Sequence, residues 1–332
     1  MQITGKKIFV AGIGSIGKRH TEVLYSSLGC RNITVYDPVS SNMKAVAEKF
    51  PGIKTVPSFE EGLKNNPDAV WITMPTALHV KYAIPALEAG CHVMIEKPLD
   101  VSSENIEKVK SLVAAKKKIA SVAFCYRQHT GMKRVKEVVN SGTLGRIINI
   151  KSTMAEFFPD ARPDYKNTYY VKYGGAFELI HAVDSALWLA GGDPVKICGI
   201  YGSYSDIGFE SPDIAEILFE TETRVLCNVT LNYCRSPLCY LVNVYGTEGS
   251  LEMNFTGDAY ELKIYTRSGR KWTTEKAEGL YRNLMFERED LEFLEDTITG
   301  VQRGCSVRDA ERSLKIYCEL YGNSNKAPAY TP

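Results

Sequence analysis

The chain has 332 residues, room for about two domains and a sizeable core. Its 40 basic residues stand against 39 acidic ones, a formal charge of +1, so no global field draws nucleic acid or a membrane surface. No stretch approaches the roughly 20 apolar residues of a membrane span, and the nine cysteines are scattered without a CxxC pair, which fits reduced thiols in a soluble, cytoplasmic protein.

The first apolar run, Ile8 to Ile16, is glycine-interrupted and has no small-residue cleavage site after it, so it reads as a strand and not as a signal peptide. From Lys6 to Cys125 short apolar runs alternate with helical patterns. "KIFVAG", "NITVYD", "AVWITMP", "CHVMIEKP" and "IASVAFCY" are the strands. "SIGKRHTEVLYSSLG", "SSNMKAVAEKF", "SFEEGLKN", "ALHVKYAIPALEAG" and "SSENIEKVKSLVAAKKK" are the helices between them. That alternation predicts a doubly wound parallel sheet of the Rossmann kind over 1–124. Over 125–332 the pattern becomes strand-like with turns: "GRIINIKSTMAEFF", "VKICGIYGSY", "IAEILFETE", "RVLCNVTLNY", "YLVNVYGTEGSLEMNF" and "YELKIYTRSG". Two helices interrupt it, near Gly175 to Leu189 and Glu287 to Thr299. This predicts an α+β domain with a largely antiparallel open sheet.

"VAGIGSIGKRH" sets Gly12, Gly14 and Gly17 in GxGxxG spacing between the first strand and the first helix, with Ser15 and Ile16 inside the loop. The first glycine permits the tight turn, the second lets a pyrophosphate approach the backbone, and the third allows close packing of helix on strand. Asp37 follows Gly17 by 20 residues at the end of the second strand, where a carboxylate accepts hydrogen bonds from an adenosine ribose and repels a 2′-phosphate. Pro38 follows, not arginine. NAD is therefore favoured over NADP; the plainer alternative is a glycine-rich turn with no cofactor.

The fourth of these strands runs into "MIEKPLD". Burying a lysine is costly unless it is paired or neutralised, and proline belongs at a strand's edge or end. Glu96-Lys97-Pro98 is thus either a plain strand exit or a working site. A lysine beside a positive nicotinamide and partly desolvated has its pKa lowered, and can exchange a proton with a substrate hydroxyl.

"ITMPTALHVKYAIPALEAGCHVMIEKPL" resembles the signature of the glucose-fructose oxidoreductase, inositol dehydrogenase and rhizopine catabolism family (Gfo/Idh/MocA). The likeness runs from the glycine loop through "GGAFELIHAVDSALWLAGG". It implies a nicotinamide-dependent carbohydrate oxidoreductase, built as a dimer or tetramer through the second domain's sheet. It also implies that Lys97 is catalytic and that the Lys97–Pro98 bond is often cis. Glu96 would pair with cofactor or backbone donors, and Pro75, Thr76 and His79 would lie under the cofactor. For His79 the alternative is a helix-start histidine satisfied by the backbone.

In the second domain the resemblance places His181 close to the reacting carbon. The family's aspartate four residues earlier is replaced here by Phe177, with Glu178 three before His181, so that aspartate's role does not transfer. Glu178, His181 and Asp184 would share a face of one helix; the plain reading of His181 is a satisfied core group. No third ligand joins His181 and Asp184, so no metal is expected. Before the helix, Tyr165, Tyr169, Tyr170 and Tyr173 alternate with Arg162, Lys166 and Lys172. Tyrosines offer a face and a hydroxyl to a sugar, and the cations a partner for carboxylate or phosphate; the alternative is an aromatic loop over the sheet. This run is similar to one in relatives from surface-glycan pathways, which implies an acidic or nucleotide-linked sugar.

The sequence reading is therefore an NAD-dependent dehydrogenase or reductase acting on a sugar secondary alcohol. Two rivals remain: an epimerase or lyase with retained NAD, and a non-enzymatic cofactor-sensing regulator.

Overall fold

Runs of three or four buried side chains build the five main strands of the first sheet. The computed structural model describes residues 3–164, 166 and 174–322. In it β1 (Ile8–Ala11), β2 (Ile33–Tyr36), β4 (Ala69–Ile72), β5 (His92–Glu96) and β6 (Ala120–Ala123) form a parallel sheet, with the short β3 (Lys54–Thr55) at one edge. The order β3-β2-β1-β4-β5-β6 is doubly wound, and the order reverses between β1 and β4, where such sheets open a crevice at their carboxyl ends. The connecting helices are α1 (Ser15–Glu22), α2 (Ser40–Lys49), α3 (Phe59–Lys64), α4 (His79–Glu88) and α5 (Ile106–Lys116). Strands buried on both faces read as continuous apolar runs, which is why the sequence marks them well.

The second sheet has eight strands in the order β14-β13-β12-β11-β7-β10-β9-β8. These are β7 (Ile147–Phe157), β8 (Pro194–Gly202), β9 (Ile214–Thr221), β10 (Leu226–Asn232), β11 (Cys234–Gly246), β12 (Gly249–Phe255), β13 (Tyr260–Thr266) and β14 (Lys271–Ala277). Neighbours are antiparallel except β7 and β10. Burial alternates along β9, β10 and β12, so one face is packed and the other is open. The helices of this half begin with α6 (Thr130–Asn140), the single turn α7 (Phe158–Ala161) and α8 (His181–Ala190), and α8 packs across β7 and β10.

The chain divides into two compact units, and the division differs from the expected boundary. One unit holds the residues up to Cys125 together with Met285–Leu314; the other holds Tyr126–Leu284 and the segment from Lys315. The stretch 285–314, expected within 125–332, therefore belongs with the parallel sheet. Its main element is α9 (Leu284–Thr299), whose Phe293 and Leu294 are buried in the cluster that contains Ile8, Trp71 and Met94. The rings of Trp71 and Phe293 meet edge to face at 5.0 Å.

Among the described residues, α6, the single turn α7 and α10 (Val307–Tyr317) stand beyond the expected pair. The last starts at a reciprocal box in which the Asp309 N–H donates to Ser306 Oγ at 3.1 Å and the Ser306 N–H to Asp309 Oδ2 at 3.2 Å. The helix expected from Gly175 is interrupted: Gly175–Leu179 is a 3₁₀ turn and α8 starts at His181. Glu178 thus lies outside the α-helix of His181 and Asp184, and the shared helical face fails for it.

Candidate active site

The glycine loop is shaped by close backbone contact. Gly12 has φ +97°, and a Cβ there would stand 2.7 Å from the Thr73 carbonyl carbon. At Gly17 a Cβ would lie 1.8 Å from the Gly12 carbonyl oxygen, whereas at Gly14 it would meet nothing within 4 Å. Gly14 and Ser15 are exposed, Ile16 is half-buried, and no side chain caps the start of α1. The N-terminal donors of this eight-residue helix therefore face open space beside a glycine, as a pyrophosphate requires.

Asp37 is buried and holds the loop it was expected to serve. Its Oδ2 accepts from the Ile13 N–H at 2.6 Å, and its Oδ1 accepts from the Val39 N–H at 2.8 Å and from Asn42 Nδ2 at 3.2 Å. A carboxylate oxygen takes two donors, so Oδ2 keeps acceptor capacity for a ribose hydroxyl. Glycine cradle, uncapped helix start and carboxylate together fit a dinucleotide.

At the exits of β4 and β5, Thr76 is buried in the turn that follows Pro75. The ring of His79, 1% exposed, spans the Met74 carbonyl (Nε2, 2.8 Å) and the Pro98 carbonyl (Nδ1, 2.7 Å). It ties the two strand exits together, the backbone-satisfied alternative of the sequence reading. The Lys97–Pro98 peptide is cis. Lys97 is half-buried, Pro98 and Glu96 are buried, and the Lys97 N–H donates to Glu96 Oε2 at 2.9 Å. Glu96 also faces His20 on α1, and His20 faces Asp290 on α9. His20 was visible in the glycine motif without an assigned task, and no spacing pointed to Asp290.

In the second unit His181 is buried at the start of α8, its ring edge-to-face with Tyr126 at 4.8 Å. The two line a hollow with Ser152, Ser185 and Phe255. Close by, Tyr240 donates to Glu156 Oε2 at 3.2 Å, and burial pushes the phenol far above its ordinary pKa. Asp184, one turn on from His181, is gripped by Arg127 through Nε at 2.9 Å and Nη2 at 2.6 Å. Arg127 was not anticipated, because a lone arginine after a strand carries no spacing signal. Glu178 is buried and folds back over Gly174, where a Cβ would sit 2.9 Å from its Oε1. Arg162 is half-buried after α7 and Lys166 is exposed. Tyr165, Tyr169, Tyr170, Lys172 and Tyr173 lie outside the described residues. Among the described residues no group of three or more His, Cys, Asp or Glu is placed to hold a metal ion, and no helix is long and apolar enough to cross a membrane.

Residues 6–124 match the model of the GFO/IDH/MocA oxidoreductase family with its NAD-binding Rossmann fold, and residues 132–252 match the GFO/IDH/MocA C-terminal domain. The chain belongs to the GFO/IDH/MocA family. One similar protein is the inositol 2-dehydrogenase of Corynebacterium glutamicum strain R, 25% identical over 232 residues that cover 68% of this chain and 66% of that protein. The chain thus spans about two thirds of that relative's length. Another is the rhizopine catabolism protein MocA of Rhizobium meliloti, 22% identical, covering 95% of this chain and 93% of that one. Among solved structures, levoglucosan dehydrogenase in complex with NADH and levoglucosan shares the fold at a TM-score of 0.83 and 19% identity, over 96% of this chain and 97% of that one. The NAD-binding half of this GFO/IDH/MocA chain is the unit that carries the glycine cradle and Asp37.

Proposed function

We propose that this GFO/IDH/MocA chain is an NAD-dependent dehydrogenase or reductase acting on a secondary alcohol of a sugar, a cyclic polyol or a sugar derivative. The observation that carries the reading is Lys97: half-buried, at the carboxyl end of a central parallel strand, with its backbone fixed by a buried carboxylate. Ligands of doubly wound sheets bind at that end. Bound nicotinamide supplies a hydride acceptor or donor at C4. Lys97 takes the hydroxyl proton in the oxidative direction and returns it in the reductive one, a form of help worth about 10²- to 10⁴-fold. His181 is proposed as a second proton carrier on the resemblance of its helix to the family's. Glu178, Arg162, Lys166, Tyr165 and Tyr169 are proposed as substrate contacts, and an acidic or nucleotide-linked sugar is the finer form of the proposal. The names of the similar proteins, inositol 2-dehydrogenase and levoglucosan dehydrogenase, support a polyhydroxylated ring.

The test is absorbance at 340 nm while polyols, sugars, sugar acids and nucleotide sugars are offered with NAD and, separately, NADP. A rise with one class and NAD supports the proposal. Substrate conversion without net NADH would replace it with a retained-cofactor epimerase or lyase, and NAD binding with no conversion at all would favour a regulator. We further propose a cytoplasmic homodimer or homotetramer formed through the open face of the eight-stranded sheet. Ile200, Leu226 and Trp272 on its strands are 72%, 44% and 47% exposed, which is apolar area that a partner sheet would cover. Light scattering with a monomeric mass would refute it.

A further inference from the structure

Behind the exit of β5 runs a line of buried polar groups that cofactor binding alone does not require. His20 is fully buried, with Nδ1 2.8 Å from Asp290 Oδ1 and Nε2 3.1 Å from Glu96 Oε1. Trp71 Nε1 donates to Asp290 Oδ1 at 2.9 Å, and the Lys97 N–H donates to Glu96 Oε2 at 2.9 Å. Asp290 is 0% and Glu96 6% exposed, so neither carboxylate is rescued by solvent. An ionised carboxylate only accepts; a ring with one on each nitrogen satisfies both when both nitrogens carry protons. Burial works against that charge on His20, but the charge and hydrogen bond of Asp290, and then those of Glu96, outweigh it and hold the pKa well above the ordinary value. Burial also opposes the charge on Glu96; the hydrogen bond and charge of His20, then the charges of Lys97 and His79, bring its pKa below the ordinary one.

A buried carboxylate–imidazolium–carboxylate group is a costly way to fill a core, since apolar groups of the same volume are often as stabilising or more so. What it does supply is geometry. One ring joins α1 just past the glycine loop, the exit of β5, and α9 near the far end of the chain. Its bonds lead outward to Lys97.

We propose that His20 and Asp290 are positioning residues for Lys97: Asp290 holds the His20 imidazolium, the imidazolium fixes the Glu96 carboxylate, and Glu96 fixes the Lys97 backbone at the strand exit. The kinetic consequence rests on the dehydrogenase reading; the structural one does not. Other titratable groups face this line. Burial pushes the pKa of Glu289, next to Asp290, well above the ordinary value, against the charge of His20 and with the charges of Glu96, Asp290 and Glu292 adding to the effect. Burial likewise pushes the Cys125 thiol, past the end of β6, well up, with the charges of Glu289 and Glu96 adding and those of Lys97 and Arg19 opposing. His79 on α4 faces Glu96, and the Phe286 ring stands edge-to-face on His20 at 5.7 Å.

The experiment is nuclear magnetic resonance of the deuterated, ¹⁵N-labelled full chain, read at the histidine ring nitrogens and the Lys97 amide from pH 5 to 10. An ordinary imidazole, with a pKa of about 6.5, is only a few per cent charged at pH 8. The wild-type His20 ring is expected to be doubly protonated there, and the Lys97 amide to shift with the midpoint of the ring. Asp290→Asn keeps an acceptor for Trp71 and removes the charge. Its His20 ring is expected to be neutral at pH 8, its kcat about 10- to 100-fold lower, and its NADH dissociation constant within about threefold, because an ångström of misplacement alone costs on the order of a hundredfold. A neutral wild-type ring at pH 8, a Lys97 amide indifferent to its titration, or an Asp290→Asn enzyme with wild-type kcat would each overturn the proposal. The wild-type titration needs neither substrate nor variant. It decides the relay even if no sugar is turned over or the variant does not fold.

Discussion

Removing Arg127 tests whether Asp184 is a structural anchor or a substrate contact. The Asp184 carboxylate is 3% and the Arg127 side chain 14% exposed, and two charge-assisted bonds of 2.9 and 2.6 Å join them. Arg127→Leu keeps apolar bulk and removes the guanidinium charge from beside the buried carboxylate. Breaking such a pair from one side costs about 3–5 kcal/mol. For a cooperative unit of about 150–250 residues each kcal/mol moves Tm by about 2–4 °C, so a fall of about 6–20 °C is expected in scanning calorimetry. Asp184→Asn, which keeps the shape and one acceptor, should cost about 1.5–3 kcal/mol, the worth of hydrogen bonds to a charged group. The double variant is expected to be more stable than the sum of the singles predicts, because it removes both charges of the pair together. If Arg127→Leu melts within about 2 °C of wild type, or if the two changes add, Asp184 is not anchored as described. A large loss of kcat from Asp184→Asn with unchanged Tm would make it a substrate contact instead.

Two glycine substitutions should separate packing from ligand space. Gly17→Ala drives a methyl into the Gly12 carbonyl, 1.8 Å away, and should cost about 1–3 kcal/mol of stability together with NADH affinity. Gly14→Ala meets nothing within 4 Å and should weaken NADH in a fluorescence titration at unchanged Tm; equal behaviour of the pair would contradict the cradle. Lys97→Met should lower kcat by about 10²- to 10⁴-fold with the NADH dissociation constant nearly unchanged, and wild-type turnover would remove the lysine from the chemistry. Stability should also depend on pH through the buried cluster. His20 and Glu289 have raised folded pKa values, so their contributions are complete below their unfolded values, near 6.5 and 4.5, and are lost as pH rises through the folded ones. Glu96, lowered, contributes above about 4.5 and loses it as pH falls through its folded value. Guanidinium midpoints should therefore be higher at pH 5.5 than at pH 9.5, and a flat profile between them would show that the cluster does not titrate as stated.

The parallel half was legible because burial on both faces leaves an unbroken apolar run, and because Gly12 and Gly17 sit in backbone contacts that a side chain would break. The open sheet was legible where one face is packed. β14, with its first four residues exposed, has no alternation to read and was missed. Helix α6 did carry a signal, since Met132, Val135 and Val138 fall three apart and are buried. Asp37 and Glu96 could be singled out from the sequence as candidates, yet the groups they hold could not be read. Asp37 binds Ile13 and Glu96 binds His20 across separations of 24 and 76 residues, and only the fold supplies those partners.

Asp290 shows why part of a site must escape sequence reasoning. Trp71 is fully buried on β4 and needs an apolar cover, which Phe293 of α9 provides at 5.0 Å. Its indole N–H, buried with it, needs an acceptor, because an unmet donor costs about 1–3 kcal/mol. Asp290 on the same helix is that acceptor. A carboxylate at 0% exposure needs a counter-charge in turn, and His20 is within 2.8 Å. The second nitrogen of His20 then needs Glu96, whose other oxygen meets the Lys97 N–H. Each burial obliges the next, from a tryptophan chosen for packing to the lysine at the strand exit. The link that closes this line comes from 270 residues along the chain, where nothing in the local pattern of α9 distinguishes Asp290 from the acids around it.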